Sequence, residues 1–99
     1  MIAVGGFKVF PSQVEDVILE QEAVKEALVI GVPDDYLGEV PRVYVTLESG
    51  ADIDGETLLK WLNVHVGKHE RADQIVIREE LPKTLVGKLD RKALRAEVL

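Results

Sequence analysis

The chain has 99 residues, 46% apolar and 30% charged, with no cysteine and a formal net charge of −6. Those values describe one ordinary globular domain, and they exclude a disulfide framework, a thiolate nucleophile and a cysteine metal site. The acidic balance argues against a nucleic-acid-binding surface, although six of the twelve Lys and Arg residues fall between Arg78 and Arg95. No apolar run approaches the roughly 18 residues of a spanning helix, and no signal-peptide pattern is present. Met1 leads straight into Ile-Ala-Val-Gly-Gly, which raises the expectation that the chain begins inside a longer protein.

Residues 1–4 are apolar and run into Gly5-Gly6, a short strand entering a tight turn. Ser12 and Glu15 have the spacing of a capping box, and Val14, Val17 and Ile18 recur at helical intervals, predicting a helix to about Gln21. Ala23 to Val32 holds a continuous apolar run stopped by Pro33, the pattern of a strand buried on both faces, although a short buried helix has a similar signature. Asp34 to Glu39 is a turn by composition. Arg42 to Leu47 is β-branched and aromatic, a second strand, placed so that Val29-Ile30 can pair with Val43–Val45 in a hairpin. Asp54 is positioned to cap a helix whose apolar face is Leu58, Leu59, Leu62 and Val66, with Gly67 at its end. Gln74 to Arg78 reads as a further strand, Leu81 to Gly87 as a loop, and Asp90 to Leu99 as a last helix. The fold class expected is α+β: a small, mainly three-stranded sheet covered by about three helices in a single domain, residues 1–99.

Three stretches carry candidate chemistry. Pro82-Lys83-Thr84-Leu85-Val86-Gly87-Lys88 brackets two lysines between a proline and a glycine directly before a helix. A lysine at such a loop end is a point charge on a flexible stem, able to reach an anion in a partner's cleft; taken by themselves, the same residues also suit a solvated surface loop. A Walker A loop is excluded, because Pro82 stands where its first glycine must be and Leu89 where Ser or Thr must follow the lysine. Gly5-Gly6-Phe7-Lys8-Val9-Phe10-Pro11 admits backbone close to a ligand or simply makes a tight turn, and it lacks the G-x-G-x-x-G dinucleotide spacing. His65 and His69 stand four residues apart, a spacing that serves metal on one helix face, but Gly67 interrupts them and no cysteine or carboxylate completes a set. No metal site is assigned. Asp34-Asp35 and Glu79-Glu80 read as solvated turns, and two histidines give a hydrolase triad little support.

Taken in order, these stretches resemble the C-terminal domain of the adenylate-forming enzyme superfamily. Gly5-Gly6-Phe7-Lys8-Val9-Phe10-Pro11-Ser12-Gln13-Val14-Glu15 is similar to its G-G-[FY]-x-[VI]-x-P-x-x-[VI]-E motif. Val29 to Asp34 with Gly38-Glu39 resembles V-V-G-x-P-D…G-E, and Glu80 to Arg91 resembles E-L-P-K-T-x-x-G-K-x-x-R. The resemblance covers Met1 to about Arg95. It implies a mobile lid on an acid–CoA ligase, which activates a carboxylic acid with ATP and then passes the acyl group to a thiol. It further implies that Lys88 is the catalytic lysine of adenylation, within a loop that includes Gly87. Gly5, Gly6 and Phe7 are implied, after a large rotation of the lid, to line the pantetheine tunnel for CoA.

By the same resemblance, the partner is the enzyme's own N-terminal adenylating domain. That domain holds most ATP and acid contacts and Mg2+, and it is absent from this chain together with the hinge residue. The whole enzyme is expected in the cytoplasm, with a peripheral membrane association also open. Where the family often has Tyr-Lys-x-Pro, this chain has His69-Glu70-Arg71-Ala72. Lys68-His69-Glu70-Arg71 resembles bacterial long-chain fatty-acyl ligases. Two alternatives stay open: the lid of a peptide-synthetase adenylation domain serving a carrier protein, and a non-catalytic interaction module.

Overall fold

A computed structural model describes residues 1–99. In chain order the elements are β1 (Ile2–Val4), β2 (Phe7–Val9), α1 (Pro11–Ile18), β3 (Val24–Asp34), β4 (Gly38–Leu47), α2 (Gly55–His65), a single 3₁₀ turn at Lys68–Glu70, β5 (Ile75–Ile77) and α3 (Arg91–Val98). The α+β class and the three helices agree with the sequence. The sheet has five strands rather than mainly three, because β1 and β2 add a short hairpin at its margin.

β3 and β4 form the longest pairing, an antiparallel hairpin with β3 at the sheet's edge, in which Val29 faces Val43 and Ile30 faces Arg42. Both read as near-continuous apolar runs because both faces of the sheet are covered. Ala27, Val29, Val43 and Val45 point into one core with Val14 and Ile18 of α1 and Leu58 and Leu62 of α2. Leu28, Ile30, Val32, Val40 and Tyr44 point the other way, under Leu81 and Leu94 of α3. The turn between the strands closes locally: the Asp34 carboxylate accepts the Tyr36 and Leu37 N–H groups at 3.1 and 2.9 Å, an Asx turn.

The other edge of β4 is shared. β5 pairs with it in parallel, Val43 with Ile75 and Val45 with Ile77, after the crossover through α2 that a parallel pair requires. Arg42 grips Asp73 just before β5 with two bonds of 3.2 and 2.6 Å. That hydrogen-bonded contact raises the Arg42 pKa above its ordinary value. β1 meets the same edge only at Gly38, opposite Val4.

Helix ends show where local signals were overruled. Asp54 caps α2 as expected, accepting the Thr57 N–H at 2.7 Å. The Ser12–Glu15 capping box does not form: Pro11 occupies the first helical position, its fixed φ preset for a helix, and Phe10 is the cap residue with no side-chain bond. Glu15 is thereby released for a different role. Gly67 is likewise not a left-handed helix terminator; α2 ends in extended backbone at Val66, and Gly67 opens the 3₁₀ turn, its N–H donating to Glu70 at 2.9 Å.

Candidate functional site

The Lys88 loop is a small hairpin rather than an irregular coil. Lys83 and Leu89 form a single antiparallel bridge at its base, and the Asp90 N–H donates to the Pro82 carbonyl at 2.9 Å. Above that, the Thr84 N–H bonds the Lys88 carbonyl at 2.7 Å and the Gly87 N–H returns to the Thr84 carbonyl at 2.9 Å. Gly87 has φ +85°, the left-handed residue that lets a three-residue hairpin loop close. The Thr84 hydroxyl accepts the Lys88 N–H at 3.3 Å. Leu85 and Val86 at the tip are 108% and 80% exposed, and exposed aliphatic side chains side by side mark a contact surface.

Lys88 stands beside them, exposed and in no ion pair. Its freedom is the more informative because the basic C-terminal quarter is otherwise neutralised. Arg78 pairs with Glu97, Lys83 with Glu26, Arg91 with Glu15 and Arg95 with Glu39, leaving only Lys88 and Lys92 of the six basic residues unpaired.

The hairpin is seated firmly. Leu81 and Leu94, on either side of it, are buried in the second core and Leu89 packs against them. Asp90 caps α3 through the Ala93 N–H at 3.0 Å. One residue on, the Arg91 guanidinium lies 2.6 Å from Glu15 Oε2, and its Nε–H donates to the Val29 carbonyl at 3.1 Å. The same Glu15 oxygen accepts the Val29 N–H at 2.8 Å. The motifs around these two residues draw attention to the glycines and to Lys88; sequence gives Glu15 only half of a capping box and Arg91 no role, and the signal is their position at the ends of two motifs.

Gly5 and Gly6 make the tip of the β1–β2 hairpin, with φ of +56° and +89°, the pair of positive φ values that a type I′ turn demands. The Gly5 N–H donates to the Leu37 carbonyl at 2.8 Å, tying this tip to the β3–β4 turn. A Cβ on Gly5 would meet Leu37 at 3.1 Å, whereas one on Gly6 would meet nothing of this chain. Phe7 is half-exposed and stacks on His69, ring centroids 3.7 Å apart. His65 instead stacks on Trp61 at 4.3 Å. The two histidines therefore serve different aromatic contacts, and no cluster of three or more His, Cys, Asp or Glu side chains is arranged to hold a metal ion.

The Gly-Gly hairpin and the Lys88 hairpin are anchored in different cores. Ile2, Val4 and Val9 belong to the core under α1 and α2; Leu81, Leu89 and Leu94 belong to the one on the other side of the sheet.

Comparison with known proteins bears on what two loops so placed are for. A long-chain-fatty-acid–CoA ligase of Bacillus subtilis is 38% identical over 97 residues, covering 98% of this chain and 17% of that protein. The ATP-bound structure of MatB from Rhodopseudomonas palustris matches with a TM-score of 0.88 at 30% identity, over 96% of this chain and 19% of that one. The amide bond synthetase McbA from Marinactinospora thermotolerans gives a TM-score of 0.88 at 32% identity, over 98% and 20% of the respective chains. This chain thus spans about a fifth of the length of each. The AMP-binding enzyme C-terminal domain family matches over residues 13–88. With that span running from within α1 to Lys88 itself, the chain belongs to the AMP-binding enzyme C-terminal domain family.

Proposed function

We propose that the chain is the mobile lid of an ATP-dependent acid–CoA ligase acting on a long-chain fatty acid, and that Lys88 serves its adenylation step. The observation that carries this reading is an unpaired lysine on an exposed, firmly seated hairpin whose other basic neighbours are mostly neutralised. Adenylation brings a carboxylate against the α-phosphate of ATP. A preorganised cation offsets the repulsion and stabilises charge developing in the transition state. Leu85 and Val86 give the tip the apolar surface with which it enters the cleft of an N-terminal domain. On this reading that domain holds the ATP, the acid and Mg2+.

In the second half-reaction the lid turns and presents Gly5, Gly6 and Phe7 to the pantetheine arm of CoA. The open space beside Gly6 suits a thin ligand, and anchoring the two loops in separate cores lets one rigid body serve both steps by rotation. CoA as acceptor is supported by the ligase from Bacillus subtilis. A second reading, transfer of the activated acyl group to an amine, is favoured by the likeness to the amide bond synthetase. No helix is long and apolar enough to cross a membrane.

The test uses the full-length ligase that carries this chain. Lys88→Ala should lower acid-dependent ATP–pyrophosphate exchange by about 100- to 1,000-fold while sparing thioester formation from supplied acyl-adenylate. Exchange at the wild-type rate removes Lys88 from the mechanism. Offering CoA and an amine side by side, and identifying the product, decides between the two acceptors.

A further inference from the structure

The Lys88 hairpin has an ionic anchor at each foot, and both reach β3, the edge strand of the sheet. At the first foot Lys83 Nζ lies 3.1 Å from Glu26 of β3, whose other carboxylate oxygen accepts the Thr46 hydroxyl at 3.2 Å. At the second, Arg91 and Glu15 together bond both backbone groups of Val29 that β4 leaves free.

The two anchors are not equal. Lys83 is about half exposed, at 47%, so water competes for that pair and it contributes little. The Glu15 side chain is only 13% exposed, and its bonds to Arg91 and Val29 are charge-assisted and short. A guanidinium makes this contact because its fork donates to a carboxylate and a carbonyl at once, which a lysine ammonium does with less fixed geometry. Arg91 is the first residue of α3, three positions beyond Lys88, and Asp90 between them closes the hairpin onto Pro82. Any shift of Arg91 along the strand edge therefore moves the arm of the hairpin that bears Lys88.

We propose that Arg91, held by Glu15 against the edge of β3, is a positioning residue that sets the reach of Lys88 for adenylation. The inference rests on the ligase reading above. Arg91 meets no substrate in this scheme; it acts through the hairpin. The Gly5–Gly6 tip is held separately, through the Leu37 carbonyl and the Phe7–His69 stack, so losing the Arg91 contact should leave thioester formation in place.

The experiment compares Arg91→Met, Arg91→Lys, Glu15→Gln and Lys88→Ala in the full-length ligase. It reads acid-dependent ATP–pyrophosphate exchange, thioester formation from supplied acyl-adenylate, and the thermal midpoint. Arg91→Met should lower kcat for exchange by about 10- to 100-fold, the loss expected of a reacting group displaced by about an ångström. Its KM values and its thioester rate should stay within about twofold of wild type. Arg91→Lys should recover part of the loss, and combining Glu15→Gln with Arg91→Met should be no worse than the poorer single change, as for residues acting as one unit.

Equal losses in both half-reactions, tracking the thermal midpoint, would reduce Arg91 to a stabilising residue and overturn the proposal. So would exchange by Arg91→Met within about twofold of wild type alongside an inactive Lys88→Ala, a result that leaves the ligase reading standing. If Lys88→Ala itself retains exchange, the ligase reading fails and this inference fails with it.

Discussion

Replacing Glu15 by alanine tests how the edge of β3 is held and which of its bonds matters most. The Val29 N–H donates to the Glu15 carboxylate at 2.8 Å, and Val29 is fully buried. Truncation leaves that donor without an acceptor, at about 1–3 kcal/mol. The Arg91 partner is 43% exposed and regains water, so its share is under about 1 kcal/mol. The sum is about 1–4 kcal/mol, against a total stability of about 5–15 kcal/mol for a domain this size. Glu15→Ala should therefore stay folded at room temperature but melt about 5–30 °C lower. Arg91→Ala should cost less, about 1 kcal/mol, because Arg91 is partly exposed and the Val29 N–H keeps its bond to Glu15. Urea unfolding of the 99-residue chain, followed by circular dichroism, measures both. Equal losses for Glu15→Ala and Arg91→Ala would refute this reasoning, since they would show that the ion pair, rather than the hydrogen bond to the strand edge, dominates.

Three further outcomes follow from single positions. Leu62→Ala removes a fully buried side chain from the larger core and should cost about 2–5 kcal/mol in urea unfolding. Gly55→Ala should destabilise by about 1–3 kcal/mol even though alanine is the better helix former, because its Cβ would lie 2.5 Å from the Ile75 carbonyl, a backbone atom of β5; calorimetry reads the sign directly. Hydrogen bonds from the Thr57 side chain and then its backbone N–H hold the Asp54 carboxyl below its ordinary pKa of 3.8. A carboxyl depressed by folding stabilises the folded state above the unfolded pKa and loses that contribution as pH falls through the folded one. Asp54→Asn should therefore flatten the fall in thermal midpoint below about pH 4.

What the sequence disclosed depended on whether the determining signal was local. The Asp54 cap needs only residues 54–57, and it formed as read. The hairpin of β3 and β4 follows from two apolar runs flanking a turn-forming Asp34, and Val29 does pair with Val43, although Ile30 falls opposite Arg42. β2 is three residues long, too short for any period to show, so the sheet came out wider than expected. The capping box failed because Pro11 started the helix one residue before Ser12, which turned Glu15 towards β3. At the site, glycines marked the Gly5–Gly6 turn and the Lys88 loop, but that the loop is a hairpin came from the structure. The clip between Glu15 and Arg91 did not announce itself, because 76 positions separate them and a pairing at that distance leaves no periodicity or spacing to read.

The same pairing resolves a tension in the charge. A chain of net charge −6 repels a nucleotide polyanion at long range, so it is poorly suited to capturing ATP on its own. A basic C-terminal quarter could have offset this as a patch, but four of its six cations are bound to carboxylates, which removes most of that local field. In place of an attractive surface, the fold offers the free ammonium of Lys88 on an anchored hairpin, and besides it only Lys92 of α3 is unpaired. On the proposed reading such an arrangement contributes little to binding and much to a late step, once another domain holds ATP and acid in place. It is also, on that reading, reversible: withdrawing the lid withdraws the Lys88 charge, and no patch of ionic contacts has to be broken before the Gly5–Gly6 face takes its turn. On the proposed reading, the acidic character of the chain and the isolation of Lys88 are one design, a cation delivered by closure and removed by rotation.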